Sequence, residues 1–132
     1  MASELAAVQD LVAQLQRDAG AVAVIVFNAQ GVAQSTCGLT HGLVDERGHL
    51  IGFPTAPLSS DNAVYQLATK GAHALEESMA SAGITDLGCF VYGVDAEHGV
   101  AFLVDCALSI KLARLITSRD AERIRSVIAG LP

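Results

Sequence analysis

The segment Ala21–Phe27 constrains the fold more than any other part of this sequence. It reads Ala-Val-Ala-Val-Ile-Val-Phe, is rich in β-branched residues and is apolar at odd and even positions alike. Successive side chains of a strand point to opposite faces, so a strand of this composition needs apolar cover on both faces. The segment therefore predicts a central strand in a sheet that is covered by helices.

Helical periodicity is found before and after this strand. Within Ser3–Ala19, apolar residues recur at steps of three and four, and Gly20 is placed to end the helix. A second helix is predicted from Ser59-Ser60-Asp61 to about Ala82, and a third from Leu108 onward. The stretch Thr117–Asp120 in the last helix predicts either a kink or a new helix start.

Two hairpins separate the helices. The turn Asn28–Gly31 links the central strand to a more polar one, Val32–Thr36, which is expected at an edge or a solvated face. The apolar runs Cys89–Val94 and Val100–Cys106 are joined by Asp95–Gly99, which has the composition of a hairpin turn.

The order helix, hairpin, helix, hairpin, helix predicts an α/β fold of the α+β type, with helices packed on one central antiparallel sheet. No linker or repeat divides the sequence, so residues 1–132 are expected to form one domain. The segment Cys37–Leu58 has the weakest pattern. A turn at Asp45–Gly48 is compatible with a small extra hairpin or with an ordered loop.

Charge is unevenly distributed. The net charge is −6, and five of the eight basic residues lie after Ile110. The first 110 residues carry three basic and twelve acidic side chains, a balance of 3 − 12 = −9. This excess of acid argues against a nucleic-acid partner. The basic C-terminal stretch predicts either a solvated helix face or a docking surface for an acidic partner.

No apolar run reaches the ~20 residues that span a bilayer, and no secretory signal is visible, so membrane insertion is not expected. The three cysteines include no C-x-x-C pair, which argues for a reducing compartment. The expected location is the cytoplasm.

The residues capable of chemistry do not form a recognisable motif. The histidines have neither H-E-x-x-H order nor helical ligand spacing, and no phosphate-binding glycine loop or G-x-S-x-G is present. His49 and His98 are expected to be exposed, and the cysteines in strands to be buried apolar residues. We therefore predict no catalytic, metal-binding or cofactor-binding residues and no enzyme activity. A nucleophilic cysteine at Cys37 or Cys106 is the remaining enzymatic alternative.

The predicted central helix has a face of small residues. Gly71 is unfavourable in the middle of a helix, so its presence suggests the close approach of another backbone. That neighbour is either a strand of the same chain or a helix of a second copy. The apolar content of 52% also leaves surface for self-association. On this basis the expected dimer or partner interface comprises Ala68, Gly71, Ala72 and Leu75.

The chain resembles the roadblock (dynein light chain roadblock-type) domains. The resemblance rests on the strand and turn Val22–Val32, the alanine-rich helix Asn62–Ala82, the hairpin strands Phe90–Val94 and Val100–Asp105, and the final helix from Leu108. It implies a roadblock/longin/profilin-like fold with a sheet of about five strands. It also implies a non-catalytic homodimeric scaffold or regulator, often of a small Ras-like GTPase. Family members pair through a sheet edge and the central helix.

The sequence departs from the usual pattern of this family in two places. The link Cys37–Leu58 is longer than usual, and only two of the three expected late strands are visible. The missing pairing is expected from Thr85–Leu87 or from His49–Phe53.

The alternative function is that of a GAF-like or profilin-like sensor of a small molecule, with the long link as a lid and His41 or His49 at the ligand. Residues Asp45–Phe53 are similar to a strand motif of small haem-associated domains, which would make haem the ligand.

Overall fold

The protein is built from four helices and four strands among the residues that the computed structural model describes, 2–54 and 61–131. In chain order these elements are α1 (Ala2–Ala19), β1 (Ala23–Asn28), β2 (Ala33–Gly38), α2 (Ala63–Ser81), β3 (Gly88–Gly93), β4 (His98–Val104), α3 (Ala107–Arg119) and α4 (Ala121–Ile128). The predicted order of helices and hairpins is confirmed.

The described strands form one antiparallel sheet in the order β2-β1-β4-β3. The predicted number of about five strands was too high, because the sheet has four. Thr85–Leu87 is not a strand, and the chain passes from the end of α2 directly into β3. Extra pairing does come from His49, which forms an isolated bridge with Val32, the residue before β2.

Strand β1 is central and covered on both faces, as its composition predicts. Its alternate residues Val24 and Val26 contribute to a core with α1, α3 and α4. Ile25 and Phe27 point the other way, into a core with α2. All four side chains are completely buried. The sheet therefore separates two apolar layers, with three helices on one face and α2 on the other.

The segment between β2 and α2 is an ordered loop with a short paired section. Val44 and Leu50 form a bridge, and Leu43 and Leu50 are buried in the core beneath α2. The Phe53 ring meets the Phe27 ring edge-on at 5.9 Å between centroids. The segment thus contributes side chains to the core. Its last part lies outside the described residues, as do Ser59 and Ser60 of the predicted helix start.

The C-terminal helical region is two helices. Of the two alternatives at Thr117–Asp120, the new start is the one observed, since α3 ends at Arg119 and α4 begins at Ala121. The Arg119 guanidinium donates hydrogen bonds to both Asp120 carboxylate oxygens, at 3.0 and 2.9 Å. These bonds hold the pKa of Asp120 below its usual range.

Candidate functional site

Strand β3 leaves one edge of the sheet open. Within the described part of the chain it pairs with β4 alone, and every residue of β3 is half-buried. An open edge presents backbone donors and acceptors to a partner strand. A site built on this edge would be formed mainly by main-chain groups, with specificity from the flanking side chains.

A groove runs between this edge and the first turns of α2. Its volume is about 760 Å³, and the residues that line it are Asn62, Ala63, Val64, Tyr65, Ala68, Phe90, Val91, Tyr92, Gly93 and Ala96. Tyr65 is 72% exposed and Val64 is 40% exposed, although both are large apolar or aromatic residues. We refer to the open edge of β3, Val64, Tyr65 and this groove as the β3 edge surface.

The start of α2 is held tightly against the end of β3. A Cβ atom at Gly93 would lie 2.6 Å from Val64 Cγ1 and 2.9 Å from its carbonyl oxygen, so glycine is needed for this approach. Helix α2 and strand β3 therefore form one continuous surface at this corner of the fold. A partner that pairs with the edge strand would also contact the helix.

The structure separates the four predicted interface residues into two pairs. Gly71 and Leu75 are buried, and a Cβ atom at Gly71 would overlap the Phe27 ring of the same chain. The close neighbour of Gly71 is thus a strand of its own chain, so we withdraw Gly71 and Leu75 from the interface. Ala68 and Ala72 are half-buried, and Ala68 lines the groove. Their assignment to an interface stays a prediction.

Three members of this surface were not predicted: Tyr65, Phe90 and Tyr92. Tyr65 lies outside the apolar stripe of α2, where an aromatic residue is unusual for a solvated position. Aromatic residues are enriched in protein interfaces, so Tyr65 gave the signal that could have identified it. Phe90 and Tyr92 were assigned to a strand without information on whether that strand was at an edge.

The three cysteines occupy different environments. Cys37 is half-buried and donates a hydrogen bond to Gln16 Oε1 at 2.6 Å. Burial, assisted by the negative charge of Glu76, raises the pKa of Cys89 to about 11. Cys106 was predicted in a strand, but it is exposed at the N-cap of α3 because β4 ends at Val104. Hydrogen bonds with Ser109 lower the Cys106 pKa.

The histidines do not support a catalytic pair. His98, predicted in an exposed turn, is instead 3% exposed at the start of β4, and its Nδ1 lies 3.0 Å from Asp95 Oδ1. The turn folds Asp95 back onto the ring, which removes it from solvent. His73 is exposed and lies 3.3 Å from Glu77. Among the described residues, no histidine is joined to a cysteine by a hydrogen bond.

His41 and His49 lie in different surroundings. His41 is exposed. His49, expected to be exposed, is half-buried and lines an open depression of about 560 Å³ together with Asp45 and Phe53. Hydrogen bonds from the backbone N–H groups of His49 and Arg47 lower the Asp45 pKa. Across residues 2–54 and 61–131, no three His, Cys, Asp or Glu side chains are grouped so that they could hold a metal ion.

The thiols give a direct test of these environments. We expect Cys106 to be alkylated first, and Cys89 to react at least about a hundredfold more slowly near pH 8, because a thiol with a pKa near 11 is almost entirely protonated there. Timed alkylation with peptide mapping by mass spectrometry measures this order. In Cys106→Ser the fastest phase should disappear. Labelling of Cys89 as fast as Cys106 would contradict the structure.

No helix in the described part of the chain is long and apolar enough to cross a membrane. No known family model and no curated protein matches the sequence. Among solved structures, Myxococcus xanthus MglB matches with a TM-score of 0.56 and 15% sequence identity. The match covers 97% of this chain and 92% of that chain. At this identity the likeness concerns the fold alone, and the chain has a roadblock-like fold.

Proposed function

We propose that this chain is a non-catalytic, homodimeric regulatory protein that binds a small Ras-like GTPase. The observation that carries the proposal is the β3 edge surface, where an open strand edge lies beside an exposed tyrosine on a fold of the roadblock type. Each part of the proposal has separate support and a separate test.

Self-association is supported by the form of the edge. Two β3 strands can pair antiparallel about a two-fold axis, which joins two four-stranded sheets into one and satisfies the edge hydrogen bonds of both copies. The same axis places the two α2 helices side by side and antiparallel, with the first turns of each toward the later turns of the other. Val64 and Tyr65 of each copy would then be covered by the other, which removes their apolar area from water.

A non-catalytic role is supported by the dispersion of the reactive groups. The exposed thiol of Cys106 is hydrogen-bonded to the Ser109 hydroxyl at 3.4 Å, and no histidine of the described residues is hydrogen-bonded to it. The buried His98 is engaged with Asp95. A nucleophile normally needs an adjacent base that is itself oriented by a third group, and these residues do not provide one.

The choice of a GTPase as the partner depends on the roadblock resemblance and the fold. The surface chemistry adds that the partner must meet a predominantly apolar and uncharged groove, since none of its ten lining residues is charged. Protein interfaces of this kind have apolar, aromatic-rich centres. The switch loops of such a GTPase change conformation with the bound nucleotide, so this surface would bind the GTPase more tightly in one nucleotide state than in the other.

Tyr65→Glu should convert the proposed dimer to monomer. Each dimer contains two copies of Tyr65, and a loss of about 1.4 kcal/mol at each would raise the dissociation constant about a hundredfold. Light scattering over a range of concentrations measures this change. Because Tyr65 is 72% exposed in the single chain, the substitution should leave the fold intact.

Leu39→Glu is the matched control. Leu39 is 75% exposed and lies beyond the end of β2, at the opposite side of the sheet from β3. This variant should retain the mass of the unaltered protein. An unaltered chain that is monomeric at every concentration would refute the dimer, and equal effects of the two variants would refute the β3 edge surface as its interface.

The GTPase partner is tested by calorimetry with purified small Ras-like GTPases, each loaded with GDP or with a non-hydrolysable GTP analogue. We expect tighter binding to one nucleotide state of at least one GTPase. Equal affinity for the two nucleotide states, or no binding to any GTPase in the set, would contradict the regulatory role. Neither result would bear on the proposed dimer. GTP hydrolysis by this chain alone would contradict the non-catalytic assignment.

A further inference from the structure

Helix α3 has an outward face that its own fold leaves uncovered. Leu108 and Leu115 are 64% and 65% exposed, and they lie two turns apart on the same side of the helix. Lys111 is exposed between them, one turn from each leucine. We refer to Leu108, Lys111 and Leu115 as the α3 crest.

The charge of α3 is of one sign. The helix contains Lys111, Arg114 and Arg119 and no acidic residue, in a protein whose net charge is −6. Arg119 is engaged by Asp120 and Asp18. Arg114 is exposed beside the crest, with its guanidinium carbon 5.3 Å from the centroid of the Phe90 ring. In the described part of the structure, Lys111 has neither an ion-pair nor a hydrogen-bond partner.

We propose that the α3 crest adsorbs to an anionic lipid surface. Leu108 and Leu115 would enter the headgroup region, while Lys111 and Arg114 would face the lipid phosphates. Exposed leucines combined with cations on one helix face are typical of helices that lie on a membrane surface. Negative lipid headgroups supply the complementary charge. The contact is peripheral and needs no membrane-spanning helix.

The position of Lys111 favours lipid over protein as the occupant. Lysine is depleted from the centres of protein interfaces, where its ammonium group would lose water without a fixed partner. At a lipid surface, its methylene groups can lie along the apolar layer while the ammonium reaches the phosphates. Leu108 and Leu115 are 64% and 65% exposed, so their side chains are free to enter a deformable surface.

The net negative charge of the protein does not prevent this contact. Charges farther from the surface than the Debye length, roughly 10 Å at 0.1 M salt, are largely screened. The acidic residues that bracket α3 in sequence, Asp105 and Asp120, lie at its ends, and Asp120 is paired with Arg119. Asp86 also lies near the start of α3, in a pocket with Ala107 and Ile110, and the crest itself contains no acidic residue.

The inference does not rest on the proposed function. The crest lies on the face of the sheet opposite α2, and Arg114 beside it adjoins the β3 edge surface at Phe90. If the dimer forms, antiparallel pairing of the β3 edges keeps the same sheet face on the same side in both copies. Both crests could then touch one membrane, and the two attachments would reinforce each other.

Co-sedimentation with vesicles tests the proposal. We expect the unaltered protein to sediment with vesicles made of phosphatidylcholine and phosphatidylglycerol in equal amounts, but not with phosphatidylcholine alone. Raising the salt concentration should release it. Lys111→Glu should weaken binding about tenfold or more, since it replaces an attractive charge with a repulsive one. Leu115→Ser should weaken it severalfold by removing apolar contact.

Two exposed residues elsewhere supply matched controls. Arg47→Glu makes the same charge reversal in an exposed turn, and Leu39→Ser removes an equally exposed leucine; both should bind as the unaltered protein does. Circular dichroism checks that all variants are folded, and light scattering separates a lipid effect from loss of the dimer. Indifference to anionic vesicles, or equal losses in variants and controls, would overturn the proposal. Binding to poly-glutamate instead of vesicles would assign the crest to an acidic protein and also overturn it.

Discussion

Gly71→Leu should strongly destabilise the protein, so that it unfolds at a much lower urea concentration than the unaltered chain. A Cβ atom at this position would overlap the Phe27 ring. The ring has little room to move away, because Gly99 of β4 also packs closely against it. Overpacking of a filled core typically costs 1–3 kcal/mol, and here we expect a loss of about 3 kcal/mol or more. Urea denaturation followed by circular dichroism measures the free energy of unfolding.

A double-variant cycle identifies the cause. Phe27→Ala alone should cost about 3–5 kcal/mol by leaving a cavity. Combined with Gly71→Leu, it should cost at least about 1 kcal/mol less than the sum of the single losses, because leucine can occupy part of the vacated space. Ala80→Leu, on an exposed position of the same helix, is the matched control and should change stability by less than about 0.5 kcal/mol. A folded Gly71→Leu that merely dissociates would restore Gly71 to an interface.

Gly71 also shows how far sequence reasoning reaches at a single position. A glycine in the middle of a helix indicates close approach, and that inference was right. The sequence did not distinguish a strand of the same chain from a helix of a second copy, because both require the same small residue. Only the packing of α2 across β1 brings Phe27, distant in sequence, against this position.

The elements and their order were predictable because they depend on local pattern. Strand β1 was identified because its residues are apolar on both faces, and both hairpins were identified from their turn residues. The number of strands was not predictable in the same way. It was inferred from a resemblance, and no pattern within Thr85–Leu87 requires a strand. Whether a short segment pairs depends on the neighbour that the tertiary fold provides.

The candidate site was the least predictable part. Periodicity shows that Tyr65 is off the buried stripe of α2, but not that it lies beside an open strand edge. His98 illustrates the opposite error. A histidine in a turn-like stretch was expected in solvent, yet the short-range contact with Asp95 and its place at the start of β4 bury it. Burial at such positions is decided by how the turn folds back.

Gly38→Ala should be the second strongly destabilising change, for a reason that differs from Gly71. Gly38 ends β2 with φ +92°, which residues with a Cβ rarely adopt. A Cβ atom there would overlap the Val22 carbonyl oxygen and lie 2.9 Å from Ala23 Cα, so the obstacle is backbone of the adjoining strand region. We expect a loss of about 3 kcal/mol or more from conformational strain and overlap together.

Gly83→Ala separates these two contributions. Gly83 also has a positive φ, +75°, at the end of α2, but a Cβ atom there would have nothing within 4 Å. This variant should lose only the conformational part, about 1 kcal/mol. Thermal unfolding measures both: for a domain of this size, Gly38→Ala should lower Tm by about 10 °C or more, and Gly83→Ala by a few degrees. Equal losses would mean that backbone conformation alone accounts for the effect at Gly38, and that the β1–β2 pairing can move aside to admit a methyl group.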